Sequence, residues 1–492
     1  MKLNILIILL FWNVFSFAQN DTILKTYTKK ELISDYDLAV SALKESHPGL
    51  YWYTNYSDYE NIFKKNRDKI KDGMNSYEFF RILCYITAAD KEGHSSVNSS
   101  KEVSNYFRHH AKFLPLGVKI FKKKLYLIND INNNNTKGKI IKSINGVAID
   151  SVLERIFNHK SSLSDGFTTT GKFKSINRYS FAFNYHDYVH NLKTDKISMT
   201  LIDSKTNSET KLLIPLVNRD SIFSIGKTTP RKKIEQTDKL YKLEIKSKTR
   251  TAIMTFNTFS YHSYKRKNLN FKSVVDSLFY IIKKKKIKNL VIDVRNNSGG
   301  FEGAEDYLYS YLTKNKYKKY EYVETKNISY SFINNTNYKD NKDALYNILK
   351  KEHYLSNDGR YLRKGNVLPT HLPQKRPFTG NLYILISGRT YSGGSEFASI
   401  AKSQKRATFV GEETGGGFYG QTSGSYVYLL LPNSKIKIRI PLLKFSTAFK
   451  SNDIPFGRGV IPEYEVEQTY EEYTNGIDSQ LEYTLNLIRS RK

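Results

Sequence analysis

A strand, a glycine-rich turn and a helix follow one another without a break between Leu382 and Arg406. The apolar run Leu382-Tyr383-Ile384-Leu385-Ile386 reads as a buried strand. It leads into Arg389-Thr390-Tyr391-Ser392-Gly393-Gly394-Ser395-Glu396-Phe397-Ala398, then a helical run ending at Lys405-Arg406 and a second strand, Ala407-Thr408-Phe409-Val410. This succession commits the C-terminal part of the chain to a layered α/β arrangement. A serine in such a turn stands exposed beside the N–H groups of the helix start, and those donors can hold the oxyanion of an acyl-transfer intermediate. Turns of this composition also bind phosphates or serve only as tight connections. The turn alone leaves all three readings open.

The chain has 492 residues, more than one core usually holds, so two or three domains are expected. With 39% hydrophobic and 14% aromatic residues it can build those cores, which excludes global disorder. Met1-Lys2, the apolar run Ile5 to Trp12 and Ser16-Phe17-Ala18 before Gln19 read as a signal peptide over residues 1–18. That run is short of the roughly 18 residues a span requires, and no later stretch reaches that length. The mature protein is expected to be exported, periplasmic or extracellular, without a transmembrane segment. The only cysteine, Cys84, lies in the apolar run Phe79 to Ile86, which excludes an intrachain disulfide framework and a lipid-anchor cysteine. The formal charge of +31 would suit a polyanion, but the lysines are spread along the chain and no nucleic-acid motif accompanies them. No dedicated nucleic-acid site is expected.

Residues 21–110 read as helical. Leu32, Tyr36, Ala39 and Leu43 recur at helical spacing before a stop at His47-Pro48-Gly49, and 58–71 and 76–88 give two more helical patterns. The last runs into Asp90-Lys91-Glu92-Gly93-His94-Ser95-Ser96-Val97, where Gly93 would end the helix and leave His94 on a loop. His94 is structural or catalytic on this context alone. His47, before Pro48-Gly49, reads as a helix-end packing residue, and the other histidines lie in polar surroundings without ligand spacing, so neither a metal nor a cofactor is expected.

From 114 to 218 the texture turns to short strands, with Lys139-Ile140-Ile141-Lys142-Ser143-Ile144-Asn145-Gly146-Val147 as strand, Asn-Gly turn and strand before a helix. This resembles a degenerate PDZ-like module, able to take a peptide as an added strand or serving only for packing. The stretch 150–196 is longer than such a module needs. Residues 219–240 read as a charged linker. From 241 to 492 strands and helices alternate, interrupted by an aromatic, lysine-rich segment at 302–378 expected to be an irregular insertion over the layer or a lid.

Three phrases then stand in fixed order: a buried strand ending Asp293-Val294-Arg295-Asn296-Asn297-Ser298-Gly299-Gly300, the Ser392 turn, and Lys405-Arg406-Ala407-Thr408-Phe409-Val410-Gly411-Glu412-Glu413-Thr414-Gly415-Gly416-Gly417. Together they resemble the S41 peptidases, the family of C-terminal processing proteases, tricorn core proteases and retinoid-binding-protein-like repeats. The resemblance covers about residues 240–470 and reaches His47-Pro48-Gly49-Leu50-Tyr51 and the His94 loop. It implies a mixed α/β, ClpP/crotonase-like catalytic core, with the helical N-terminal segment and the PDZ-like module attached. It also implies Ser392 as nucleophile. Where the processing branch carries a lysine base, this chain has Gly417, so the resemblance points to the tricorn-like branch, with His94 as general base. Backbone N–H groups of Gly393 and of Gly300, preferred over Gly299, would form the oxyanion hole. Ser395, where relatives often carry an acid, is the competing serine. The position of the supporting glutamate is occupied by Phe456, and Glu463 replaces an aspartate; Asp453 is the substitute acid expected to orient His94. The implied activity is a serine endopeptidase or carboxyl-terminal-processing peptidase acting on peptide or protein substrates, with a catalytically silent ligand-binding relative as the alternative.

Overall fold

Six strands organise the C-terminal half: Tyr241–Lys246, Thr251–Phe256, Asn289–Asp293, Asn381–Ile386, Thr408–Gly411 and Tyr464–Glu465, hydrogen-bonded in that order. The first pairing is antiparallel and the other four are parallel. A computed structural model describes residues 24–131, 134–161, 163–190, 194–228 and 239–490. The expected signal peptide at 1–18 lies outside the described residues.

The central strands are continuously apolar because both faces of the sheet are covered. Ile253, Val291, Tyr383, Leu385 and Val410 pack with Leu485 and Ile488 of the Ser479–Ser490 helix. Their alternate neighbours, among them Met254, Leu290, Ile292, Leu382 and Ile384, pack with helices Phe271–Lys284 and Gly393–Ser403. Parallel strands end at a common edge, so the segment after Asp293 and the turn after Ile386 emerge side by side. That edge is where open α/β sheets place their ligands.

The segment 302–378 is not an irregular insertion. It begins with the Ala304–Ser310 helix and supplies strands Tyr320–Thr325, His353–Leu355 and Tyr361–Arg363 to a second sheet with Gly420–Leu430 and Lys437–Thr447. Its apolar residues are core material: Tyr320, Val323, Tyr330 and Phe332 are buried with the N-terminal helices. A lysine-rich composition hid an amphipathic sheet.

Four helices, Lys29–Ser46, Tyr56–Arg67, Ser76–Ala88 and Lys101–His109, fill the N-terminal region. Capping boxes at Thr28/Glu31 and Asn75/Glu78 start the first and third. The third stops at Ala88, before Gly93, and His94 lies on the loop that follows. The chain then forms Ser96–Asn98, which pairs antiparallel with Lys437–Thr447 and ties that loop to the second sheet.

Val118–Phe121, Lys124–Leu127, Ile140–Ile144, Lys196–Ile202 and Glu209–Pro215 build an antiparallel sheet with helix Ile149–His159 against it. Asn145 and Gly146 turn the chain at φ 50° and 77°, the left-handed pair such a tight turn requires. In the expected linker, Arg219–Thr228 is helical, while 229–238 lies outside the described residues.

Candidate active site

Ser392 sits between the Asn381–Ile386 strand and the Gly393–Ser403 helix, at φ 51° and ψ −129°. L side chains rarely take this conformation, and it persists here because neighbouring bonds fix it. The Tyr391 N–H donates to the Asn297 carbonyl (3.0 Å), and the Gly394 and Glu396 N–H groups donate to the Tyr391 and Ser392 carbonyls (2.9 Å each). Asn297 is anchored in turn through Nδ2 to the Phe256 carbonyl (3.1 Å). Ser392 Oγ makes no hydrogen bond among the described residues and lines a cavity of about 550 Å³ with Gly300, Gly393, Lys319 and Tyr426. Ser395, the competing serine, is buried and spends its hydroxyl on the Ser392 carbonyl (2.8 Å).

Two glycines bring the other loop to Ser392. Gly299 has φ 96°, and a Cβ there would stand 2.7 Å from both the Gly393 nitrogen and Ser392 Cβ. Its N–H is committed to Asn297 Oδ1 (2.9 Å) and its carbonyl to the Phe259 N–H (2.9 Å). The Gly300 nitrogen lies beside Gly393, 3.7 Å from where a Gly393 Cβ would be. Neither the Gly300 nor the Gly393 N–H has a partner among the described residues. Gly300 and Gly393 are thus the pair with unspent donors.

His94 is buried and lies against the residue preceding Ser392. Its Nδ1 is 3.0 Å from the Tyr391 hydroxyl and the two rings are 4.9 Å apart, while its carbonyl accepts from Arg439 Nε (2.8 Å). Nε2 makes no hydrogen bond among the described residues, and none joins the ring to Ser392 Oγ. Burial first, and then the Arg439 guanidinium, push the imidazole pKa down to about 3, so the ring is neutral at physiological pH.

The acid beside this pair is not Asp453. Asp453 is exposed, its N–H donates to Ser451 Oγ (3.1 Å), and no bond joins it to His94. Phe456, in the glutamate's place, packs on Trp52, Tyr53 and Tyr419 instead. The carboxylate near His94 is Asp165, fully buried. Its Oδ1 accepts from the Tyr391 hydroxyl (2.8 Å) and the Gly93 N–H (3.1 Å), and its Oδ2 from the Gly417 N–H (3.2 Å). Burial, the largest influence, raises its pKa to about 6 despite these donors. Sequence reasoning missed Asp165 and Tyr391. The surplus length of 150–196 was the one signal that this stretch had other work.

Under the Ser392 turn, Lys319 is buried among Glu305, Asp306 and Glu396. Glu305 Oε2 has no partner among the described residues and lies 3.5 Å from the Gly393 Cβ position. Burial raises the Glu305 pKa to about 8, with Lys319 opposing. Among the described residues no group of His, Cys, Asp and Glu is arranged to hold a metal ion.

Residues 250–466 match the model of peptidase family S41. The whole chain is similar in fold to mature CPAF, at 13% identity and a TM-score of 0.59, covering 94% of this chain and 96% of that one. Mature CPAF complexed with lactacystin gives a TM-score of 0.60 at 13% identity, covering 94% and 98%. No curated protein sequence matches the chain. The matched segment spans the Asp293–Gly300 loop, the Ser392 turn and the Gly411–Gly417 run, and over residues 250–466 the chain is an S41-type peptidase, a serine-type hydrolase of peptide bonds.

Proposed function

We propose that this chain is an exported serine endopeptidase or carboxyl-terminal-processing peptidase in which Ser392 is the nucleophile and His94 the general base. The observation that carries this reading is the Ser392 turn itself. A hydroxyl free of protein partners opens into a cavity, beside two unspent N–H donors on Gly300 and Gly393, with a neutral imidazole against the preceding residue. In this scheme Ser392 Oγ adds to the scissile carbonyl as its proton passes to His94 Nε2. The Gly300 and Gly393 N–H groups receive the oxyanion. Collapse of the tetrahedral intermediate breaks the C–N bond, and the imidazolium gives its proton to the departing amine. Water, deprotonated by His94, then adds to the acyl-enzyme and releases Ser392. Ser392 Oγ and His94 are not bonded in the free enzyme, and such contacts commonly tighten only with substrate bound. Export rests on the leader pattern before Gln19.

A fluorophosphonate probe tests the reading. Covalent labelling of the full chain that disappears in Ser392→Ala and falls by roughly 10²-fold or more in His94→Ala is expected. Folded wild-type protein that takes up no probe would instead favour the silent, ligand-binding alternative.

A further inference from the structure

Among the described residues the proposed base has no direct acid partner. Asp453 is exposed and Phe456 carries no charge, while the other buried carboxylates near His94 are engaged elsewhere. Asp90 Oδ2 stands 3.3 Å from His47 Nε2, and Glu92 Oε2 accepts from Thr422 Oγ1 (2.9 Å). The contact at His94 Nδ1 comes from Tyr391, and Tyr391 is bonded in turn to Asp165.

The direction of these two bonds follows from the donor inventory. An ionised Asp165 only accepts, so the Tyr391 hydroxyl proton lies toward it. The Tyr391 oxygen can then only accept from His94, which places the imidazole proton on Nδ1 and leaves Nε2 with its lone pair. Building on the reading of His94 as base, we propose that Asp165 and Tyr391 form a positioning relay that holds His94 in its base-competent tautomer, in place of a direct acid partner.

The anchoring of Asp165 supports this role. One carboxylate joins Gly93, next to the base, to Tyr391, next to the nucleophile, and to Gly417. The Asp165 N–H also donates to the Gly415 carbonyl (2.9 Å) and Thr168 Oγ1 to the same carbonyl (3.0 Å). The relay thus fixes the separation of the loops bearing His94 and Ser392 as well as the tautomer.

A pH dependence follows. The charged and titratable groups facing Asp165 are Asp90, Glu92, Tyr53, Tyr391, Tyr426 and His94, with the Arg439 guanidinium at the His94 carbonyl. Tyr53 and Tyr391 titrate far above neutrality and His94 near 3. Asp165, near 6, is therefore the member of the relay that changes state in the working range. Once protonated it donates to the Tyr391 oxygen, the Tyr391 proton turns toward Nδ1, and the ring proton is driven to Nε2, where it blocks proton acceptance.

The test uses the full chain and two readouts: the pH profile of the fluorophosphonate labelling rate, and the His94 tautomer from ring ¹⁵N shifts. Wild type is expected to show an acid limb near pH 6 and an Nδ1–H ring above it. Tyr391→Phe, which keeps the packed ring, should lower the rate by roughly 10²-fold and lose the Nδ1–H preference. Asp165→Asn should flatten the acid limb; a thermal melt checks its folding, and Tyr391→Phe decides the matter if it does not fold. An Nε2–H ring in wild type, or a Tyr391→Phe profile and rate equal to wild type, would overturn the relay. Failure of Ser392→Ala to abolish labelling would overturn the nucleophile instead, and the tautomer would still decide the relay.

Discussion

Gly299 is constrained twice over beside Ser392. Its positive φ and its 2.7 Å approach to Ser392 Cβ and the Gly393 nitrogen each oppose a side chain. Gly299→Ala should therefore displace the Ser392 turn. Labelling is expected to fall by at least 10-fold, with stability reduced by about 1–3 kcal/mol in a urea titration. Lys319 poses the opposite problem, a cation buried among three carboxylates. Lys319→Met takes the cation away from Asp306 and Glu396 and should cost about 3–5 kcal/mol, read as a lower urea midpoint. Ser392, His94 and the glycines could be proposed from sequence phrases because each phrase is local. Asp165 could not, since its role depends on donors from residues 93, 391 and 417.

At the scale of elements, the strand–turn–helix around Ser392 was legible because a doubly covered strand writes itself as an unbroken apolar run. The 302–378 segment was not legible. Its strands are short, Tyr320–Thr325 mixes buried and half-buried positions with the exposed Glu321, and lysine-rich connections separate them, so no clear alternation stands out. The Lys437–Thr447 strand matters beyond its sheet, because Arg439 holds the His94 carbonyl and depresses the ring's basicity. Arg439→Gln should raise the His94 pKa toward its ordinary value, measured by NMR titration, because a repulsive cation is removed. An unchanged titration would show that burial alone sets it.

The whole molecule brings three distant stretches to one place: the loop after Ala88, the segment around Asp165 and the edge of the parallel sheet. Their charge states set its response to pH. His94 is neutral when folded down to about 3 but titrates near 6.5 when unfolded, so the unfolded chain binds more protons in that window and this contribution to stability rises with pH. Glu305 works the other way. Folded, it keeps its proton to about 8 against an ordinary 4.5, so its contribution falls as pH rises across that range. Between pH 6.5 and 8 the Glu305 effect should prevail, and the urea midpoint of wild type should fall more steeply than that of Glu305→Gln. The surplus of positive charge predicts that added salt raises the melting temperature by screening self-repulsion.

The sequence by itself determined the α/β layering, the Ser392 turn and the family, because periodicity and contiguous phrases are properties of neighbours along the chain. Only the tertiary structure decided the surroundings of His94. It set Asp165 behind Tyr391, left Asp453 in solvent and made sheet of the expected insertion. A buried carboxylate's partners are chosen by packing across hundreds of residues, and no spacing in the chain records that choice.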